Sequence, residues 1–365
     1  MTSTSDDPVV MSVVDRSIVP ILSTAHETPS RRHGISAEVE RTHRLYGTSL
    51  LYAATKLQKL NASTYATACT IFHRFYHRVS LTKYNVWSVA MASLLLATKV
   101  QDGPQQRTIR SIVLFFDHLY RKRRHLIIST KDSSSVPSMS KLGPVWKEYY
   151  ENVVEMENQV LRELGFTLYW IPDAHPHKFL WEFVRILLGL EPVPIADNST
   201  SSGDDNQADA NKDGETVNET ADEKNNDNNK SGKDEKGEET NGNKREIRHF
   251  ALAQRAWSYC NDSCRLDLCV RFDSEVITCA AIYLACRDMK IELPMKPAPW
   301  WQLFLGKDDK CGENVATAAN AILGLIHYQK QNATIMRDFL PSLVPGGSTF
   351  NDPERFLWEV RTPQA

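Results

Sequence analysis

Two charged residues interrupt apolar rows in this sequence, and each has the chemistry to hold a partner. Lys99 continues the row Val89, Ala92, Leu95/Leu96 at three-to-four-residue spacing, so an ammonium emerges at the tip of an otherwise apolar helix face. Glu157 falls between Val153 and Val160 on a stripe that also carries Trp146, Tyr149/Tyr150 and Leu164. A carboxylate on such a stripe is costly unless it is paired or faces a polar partner at a rim. Lys99 is the natural neighbour, although a lysine at a helix end also snorkels to water. The pair could be an internal bridge that fixes helix packing. It could equally be a docking pair that offers one donor and one acceptor to another protein, and the residues alone leave both readings open.

Other chemistry-bearing residues point less far. Arg121, Lys122, Arg123 and Arg124 form a basic run at the expected end of a helix, where cations offset the helix dipole. The same run could be a nuclear-import or nucleic-acid patch. Cys260, Cys264 and Cys269 cluster without a CxxC pair or a histidine at ligand spacing, so no metal site is expected. His73, in the segment HRFY (His73 to Tyr76), reads as a core histidine among aromatic rings. There is no phosphate-cradling glycine loop, nucleophile elbow or HExxH. The chain is therefore expected to be a binding module rather than an enzyme, and to need no cofactor.

The element that must position Lys99 runs from Tyr84 to Val100, YNVWSVAMASLLLATKV. It is uncharged between Tyr84 and Lys99, rich in small residues (Ala90, Ala92, Ser93, Ala97), and shorter than a membrane span. Such a segment predicts a helix buried on nearly all sides at the centre of a bundle. A second stretch repeats it without gaps: VAMASLLLATK (Val89 to Lys99) lies over ITCAAIYLACR (Ile277 to Arg287), with Tyr84 on Phe272 and Leu81 on Cys269. Small residues meet small ones, and Lys99 meets Arg287. Two copies of one all-helical module are the expected architecture.

Around these copies the chain divides by composition. Residues 1–35 read as an extended arm, and Ser36 is placed to cap the next helix. The first module is expected over 36–170, with helices at Val39 to Leu60, Ala62 to Arg78, Thr108 to Arg124 and Val145 to Leu164 flanking the central one. The second is expected over 171–335, with helices at Ile247 to Asp267, Ser274 to Met289 and Glu313 to Gln329, followed by a tail at 336–365. From 196 to 245 the chain is almost wholly polar, has no aromatic residue, and carries only Val217 as a branched aliphatic. It cannot bury enough apolar surface to offset its chain entropy, so it is expected to be a disordered acidic insert in the second module. Trp300 and Trp301 are expected to fill a gap between helices. The apolar runs are too short for a membrane span, the N-terminus lacks a signal-peptide core, and buried free thiols suit a reducing compartment.

The order HRFY, VAMASLLLATKV with a following proline loop, and MENQVLRELGF resembles the first cyclin box of the transcription and RNA-processing cyclins. HPHKFL (His175 to Leu180), AWSYCNDS (Ala256 to Ser263), VRF (Val270 to Phe272), CAAIYLACR, ELP and WWQLFLG (Trp300 to Gly306) resemble cyclin L in order and spacing. The resemblance spans Ile35 to Gln331 apart from the insert. It implies two tandem five-helix cyclin boxes and a regulatory subunit of a nuclear cyclin-dependent protein kinase, acting as a heterodimer in transcription and pre-mRNA processing. In that family the lysine closing the third helix and the glutamate of the fifth contact the kinase around its mobile regulatory helix; by position these are Lys99 and Glu157. Contact with transcription or splicing machinery is a further implication, whereas direct nucleic-acid binding is not expected. The family usually has two acidic residues after the lysine, where this chain has Gln101 and Asp102 beyond Val100. It also ends without the Arg-Ser-rich tail of animal cyclin L proteins, which removes that support for splicing-speckle residence. The rival reading is a general transcription factor resembling TFIIB, which uses two cyclin-like modules to bind promoter DNA, usually behind a zinc ribbon.

Overall fold

The computed structural model describes residues 28–101, 107–123, 144–169, 171, 174–189, 236–308 and 310–332. The described residues are helical or irregular and contain no strand. The first module comprises α1 (Pro29–Arg32), α2 (Ala37–Leu57), α3 (Ala62–Arg78), α4 (Val86–Val100), α5 (Ile109–Arg123) and α6 (Pro144–Glu163). The second comprises α7 (Pro176–Leu187), α8 (Lys236–Ser263), the short α9 (Leu268–Arg271), α10 (Ser274–Asp288), the single turn α11 (Gln302–Leu305) and α12 (Lys310–Asn332).

Side-chain caps start the helices that matter most. Ser36 Oγ accepts from the Val39 amide at 3.3 Å, Asn61 Oδ1 from Thr64 at 2.7 Å and Asn85 Oδ1 from Trp87 at 2.7 Å. Each satisfies an amide that the helix itself leaves without a partner. The central helix is buried as its composition demands: Val89, Ala90, Ala92, Leu94, Leu95 and Ala97 are all fully inaccessible. α2, α3, α5 and α6 pack around α4, and α7, α8, α11 and α12 pack around α10 in the same manner. Each module has its own apolar core, yet each lends a residue to the other: Leu45 belongs to the second core and Cys264 to the first.

Three local expectations change. The arm does not stay extended up to residue 35. Pro29–Arg32 is a helical turn, because Thr28 accepts from the Arg31 amide at 3.4 Å while proline occupies the first helical position. Ser30 Oγ then accepts from the Leu81 amide at 3.0 Å, tying this turn to the loop before α4. The segment expected to be disordered to residue 245 is helical from Lys236, since once His249–Ser263 is packed each upstream residue adds a backbone hydrogen bond without a new nucleation cost. That helix also stops at Ser263, before the expected end at Asp267. The arm before Thr28, the insert from 196 to 235 and the tail at 336–365 lie outside the described residues.

Trp300 is buried in the second core, and Phe304 stacks on Phe183 with ring centroids 3.9 Å apart. Trp300 fills the gap expected of the tryptophan pair, whereas Trp301 is only half-buried. No helix among the described residues is long and apolar enough to cross a membrane.

Candidate functional site

Lys99 and Glu157 come together. Lys99 is the last charged residue of α4 and Glu157 lies in α6, and Lys99 Nζ donates to Glu157 Oε1 at 2.5 Å. Helix packing places them there: the same face of α6 buries Val153, Met156 and Val160, with Leu164 buried just past its end, so the carboxylate is carried in against the end of α4. The two ends of the bridge differ. The Lys99 side chain is 41% exposed whereas that of Glu157 is 11% exposed. A nearly buried carboxylate thus holds an ammonium at the surface, and an ammonium has three donors, of which this contact uses one.

The residues around the pair are fixed by hydrogen bonds. Gln101, the C-cap of α4, donates through Nε2 to Ser63 Oγ at 2.9 Å and to Thr67 Oγ1 at 3.0 Å. Thr67 Oγ1 in turn lies 2.8 Å from His175 Nε2, just before α7. Gln101 therefore locks the end of α4 to the start of α3 and to the second module. A carboxylate there could not donate to either hydroxyl. The outward face of α6 forms a shallow depression of about 440 Å³ in which Tyr150 and Val154 are joined by the polar Glu151, Glu155, Asn158, Gln159 and Arg162, with Tyr150 exposed.

The other candidates are dispersed. Arg121, Lys122 and Arg123 close α5, with their side chains and Arg124 outside the described residues. Cys260 and Cys264 are buried, and burial pushes both thiols up, with Cys269 raised to about 11. These are protonated packing groups at neutral pH. Among the described residues no cluster of His, Cys, Asp and Glu is arranged to hold a metal ion.

The Cyclin, N-terminal domain family matches residues 20–169. Cyclin-L1 of Rattus norvegicus is 29% identical over 295 residues, covering 81% of this chain and 42% of its own length. This chain belongs to the cyclin family. Cyclin-L1-1 of Arabidopsis thaliana is similar to it as well, 28% identical over 280 residues, covering 76% of this cyclin and 49% of the plant protein. The cyclin spans less than half the length of these two relatives. A chain of the yeast RNA Pol II CTD kinase CTDK-1 complex shares its fold, with a TM-score of 0.50 and 12% identity over 83% of this cyclin and 74% of that chain. The family match ends just after α6, so it covers the whole module that carries Lys99 and Glu157.

Sequence reasoning missed the charged groups between the modules. His77 Nε2 donates to Asp267 Oδ2 at 3.2 Å and Arg271 donates to the same oxygen at 2.8 Å, which together with Arg44 hold that carboxyl well below its usual range despite burial. Arg44 also donates to the His73 and Tyr76 carbonyls, at 3.2 and 2.9 Å, closing the C-terminal end of α3. The partners are far apart in the chain, and no local spacing announces them.

Proposed function

We propose that this cyclin is the regulatory subunit of a nuclear cyclin-dependent protein kinase acting in transcription and pre-mRNA processing, forming a heterodimer with it and carrying out no catalysis of its own. The observation that carries this reading is the half-exposed Lys99–Glu157 pair, placed where the third and fifth helices of the first module meet. The nearly buried carboxylate needs a cation beside it, which accounts for one of the ammonium's three donors, while the ammonium itself stands 41% exposed. Docking gives the remaining donors a use. The ammonium can donate to a carbonyl or carboxylate of the kinase while the carboxylate orients it, and the outward face of α6 adds the exposed Tyr150 and a row of polar side chains as further contact surface.

Holding the kinase's regulatory helix inward lets the kinase form its own catalytic Lys–Glu pair. The first module, 36–170, is the docking module in this reading, and the second, 171–335 with its polar insert, stands beside it. The similarity to cyclin L proteins and the shared fold with a chain of a kinase complex support it. Arg121 to Arg124 would act in nuclear import, and contacts with transcription or splicing machinery would come through the heterodimer.

Affinity capture of the tagged full chain from nuclear extract, with a kinase assay, tests this. Lys99→Glu/Glu157→Lys keeps the internal attraction but exchanges which charge stands at the surface. The expected result is kinase recovery with wild type and at least about tenfold less with the exchanged variant, at unchanged helicity. Full recovery by the variant would overturn the docking assignment. Recovery of promoter DNA complexes without a kinase would overturn the whole reading in favour of a TFIIB-like factor.

A further inference from the structure

A cleft of about 620 Å³ opens between the two modules, walled by α2, the segment before α9, and α12. Five arginines line it: Arg31, Arg41, Arg44, Arg265 and Arg271. Only three carboxylates line it with them, Glu38, Glu40 and Asp267. Two of those carboxylates are already shared. Glu40 faces Arg44 at 2.8 Å and Arg31 at 3.4 Å, and accepts from Thr28 Oγ1 at 2.7 Å. Asp267 is divided between His77 and Arg271.

Two guanidinium groups remain in surplus, one on each module. Among the described residues neither Arg41 nor Arg265 makes a salt-bridge contact, and Asp262, three residues before Arg265, feels its charge only at longer range. Arg41 is held over the Tyr328 ring, 5.1 Å from its centroid, and Tyr328 is itself fixed by a 2.8 Å hydrogen bond to Thr42. A guanidinium pre-positioned in this way presents a fork of donors that matches a phosphate or carboxylate. Arg41 and Arg265, which line the cleft from different modules, together match the charge of a phosphomonoester, which carries about −1.5 to −2 charges at neutral pH and three acceptor oxygens.

We propose that this cleft binds a phosphorylated serine or threonine side chain of a partner protein, with Arg41 and Arg265 as its two anion ligands. A nucleic acid fits less well. Tracking a phosphate backbone needs an extended cationic groove with free aromatic platforms, and here the one ring, Tyr328, is covered by Arg41. The site is also separate from Lys99. Gln101 binds α3 at Ser63, whereas Arg44 binds it at Tyr76, roughly 20 Å along the helix at about 1.5 Å per residue.

The test titrates a fluorescein-labelled peptide pool, degenerate around a single phosphothreonine, with the full chain, reading anisotropy. The same pool without phosphate and a short single-stranded RNA run beside it. The phosphorylated pool is expected to bind at least about tenfold tighter than the unphosphorylated one and to be displaced by inorganic phosphate. Arg41→Gln/Arg265→Gln is expected to abolish that preference. Gly324→Glu supplies a second variant that removes no arginine: a Cβ on Gly324 would lie 3.8 Å from Arg41 Nη2, an ordinary contact, so the new carboxylate can neutralise Arg41 from within a helix. Equal binding of the two pools, a preference that survives both variants, or tighter binding of the RNA would each overturn the proposal. Kinase capture measured on the same variants is expected to stay at the wild-type level, which separates the fate of this proposal from that of the docking pair.

Discussion

At the residue scale, buried imidazoles set how this cyclin responds to acid. Burial lowers His73 to about 3 and His43 to about 4, against an ordinary value near 6.5. His73 Nε2 donates to the Cys264 carbonyl at 3.2 Å, and a carbonyl only accepts, so the neutral ring that burial favours carries its proton on Nε2. The folded state keeps these rings neutral while the unfolded chain protonates them below about pH 6.5. Their contribution is therefore intact above that pH and is lost as pH falls towards 4 and 3. At pH 5 each costs about 2 kcal/mol by linkage. Asp267, held low, loses its contribution only at more acid pH, as its carboxyl protonates. Urea unfolding at pH 7 and pH 5 should show a drop that is smaller by about 2 kcal/mol in His73→Gln, whose amide can still donate to Cys264 but cannot titrate; an unchanged drop would refute the assignment. His73 was legible in the sequence as a core residue because rings surround it in HRFY. Its bridge to the second module was not, since Cys264 lies 191 positions away. Lys99 and Glu157 were legible for the opposite reason: each breaks an apolar row, and a broken row can be seen without knowing what packs on it.

At the scale of elements, close approach between helices governs the first module. A Cβ on Gly47 in α2 would stand 2.2 Å from Phe72 Cζ and 2.9 Å from Val86 Cγ1. Phe72 cannot give way, because it is fully buried and its ring packs edge-on against Tyr76 at 5.1 Å. Gly47→Ala gains helix propensity of up to about 1 kcal/mol but overpacks the core. The clash should win, lowering stability by about 1–3 kcal/mol in denaturant melts without altering helicity, whereas an unchanged midpoint would mean that α2 can shift freely. The repeat was readable at this scale. α4 and α10 are both 15 residues long, and their starts at Val86 and Ser274 and their ends at Val100 and Asp288 are offset by the same 188 positions. Composition carried that match, since a helix wrapped on all sides admits few residue types. The turn at Pro29–Arg32 and the early start of α8 were not readable, because each depends on what its neighbour has already packed rather than on its own residues.

For the whole molecule, polar contacts join the modules: Thr42 with Tyr328, Thr67 with His175, His73 with the Cys264 carbonyl, and His77 with Asp267. None of these was visible as a local pattern, because each pairs residues that only the folded tandem brings together. The modules are alike in architecture but not in what they present. Where Lys99 closes α4, the exposed Arg287 nearly closes α10. The fifth helix of the second module, α12, carries a single acidic residue, Glu313, in its first turn, far from the position that Glu157 takes in α6. The copied fold thus kept the cation and not its orienting carboxylate. On the proposed reading the protein is monovalent despite its internal symmetry. Light scattering of the complex, with kinase in excess, should give the mass of one cyclin and one kinase, and a second bound kinase would show that the duplicated half docks as well. A tandem with only one loaded half has a direction: on this reading the kinase sits at the end of α3 near Ser63, and the arginine-lined cleft, roughly 20 Å along that helix near Tyr76, stays free to select what is brought to it.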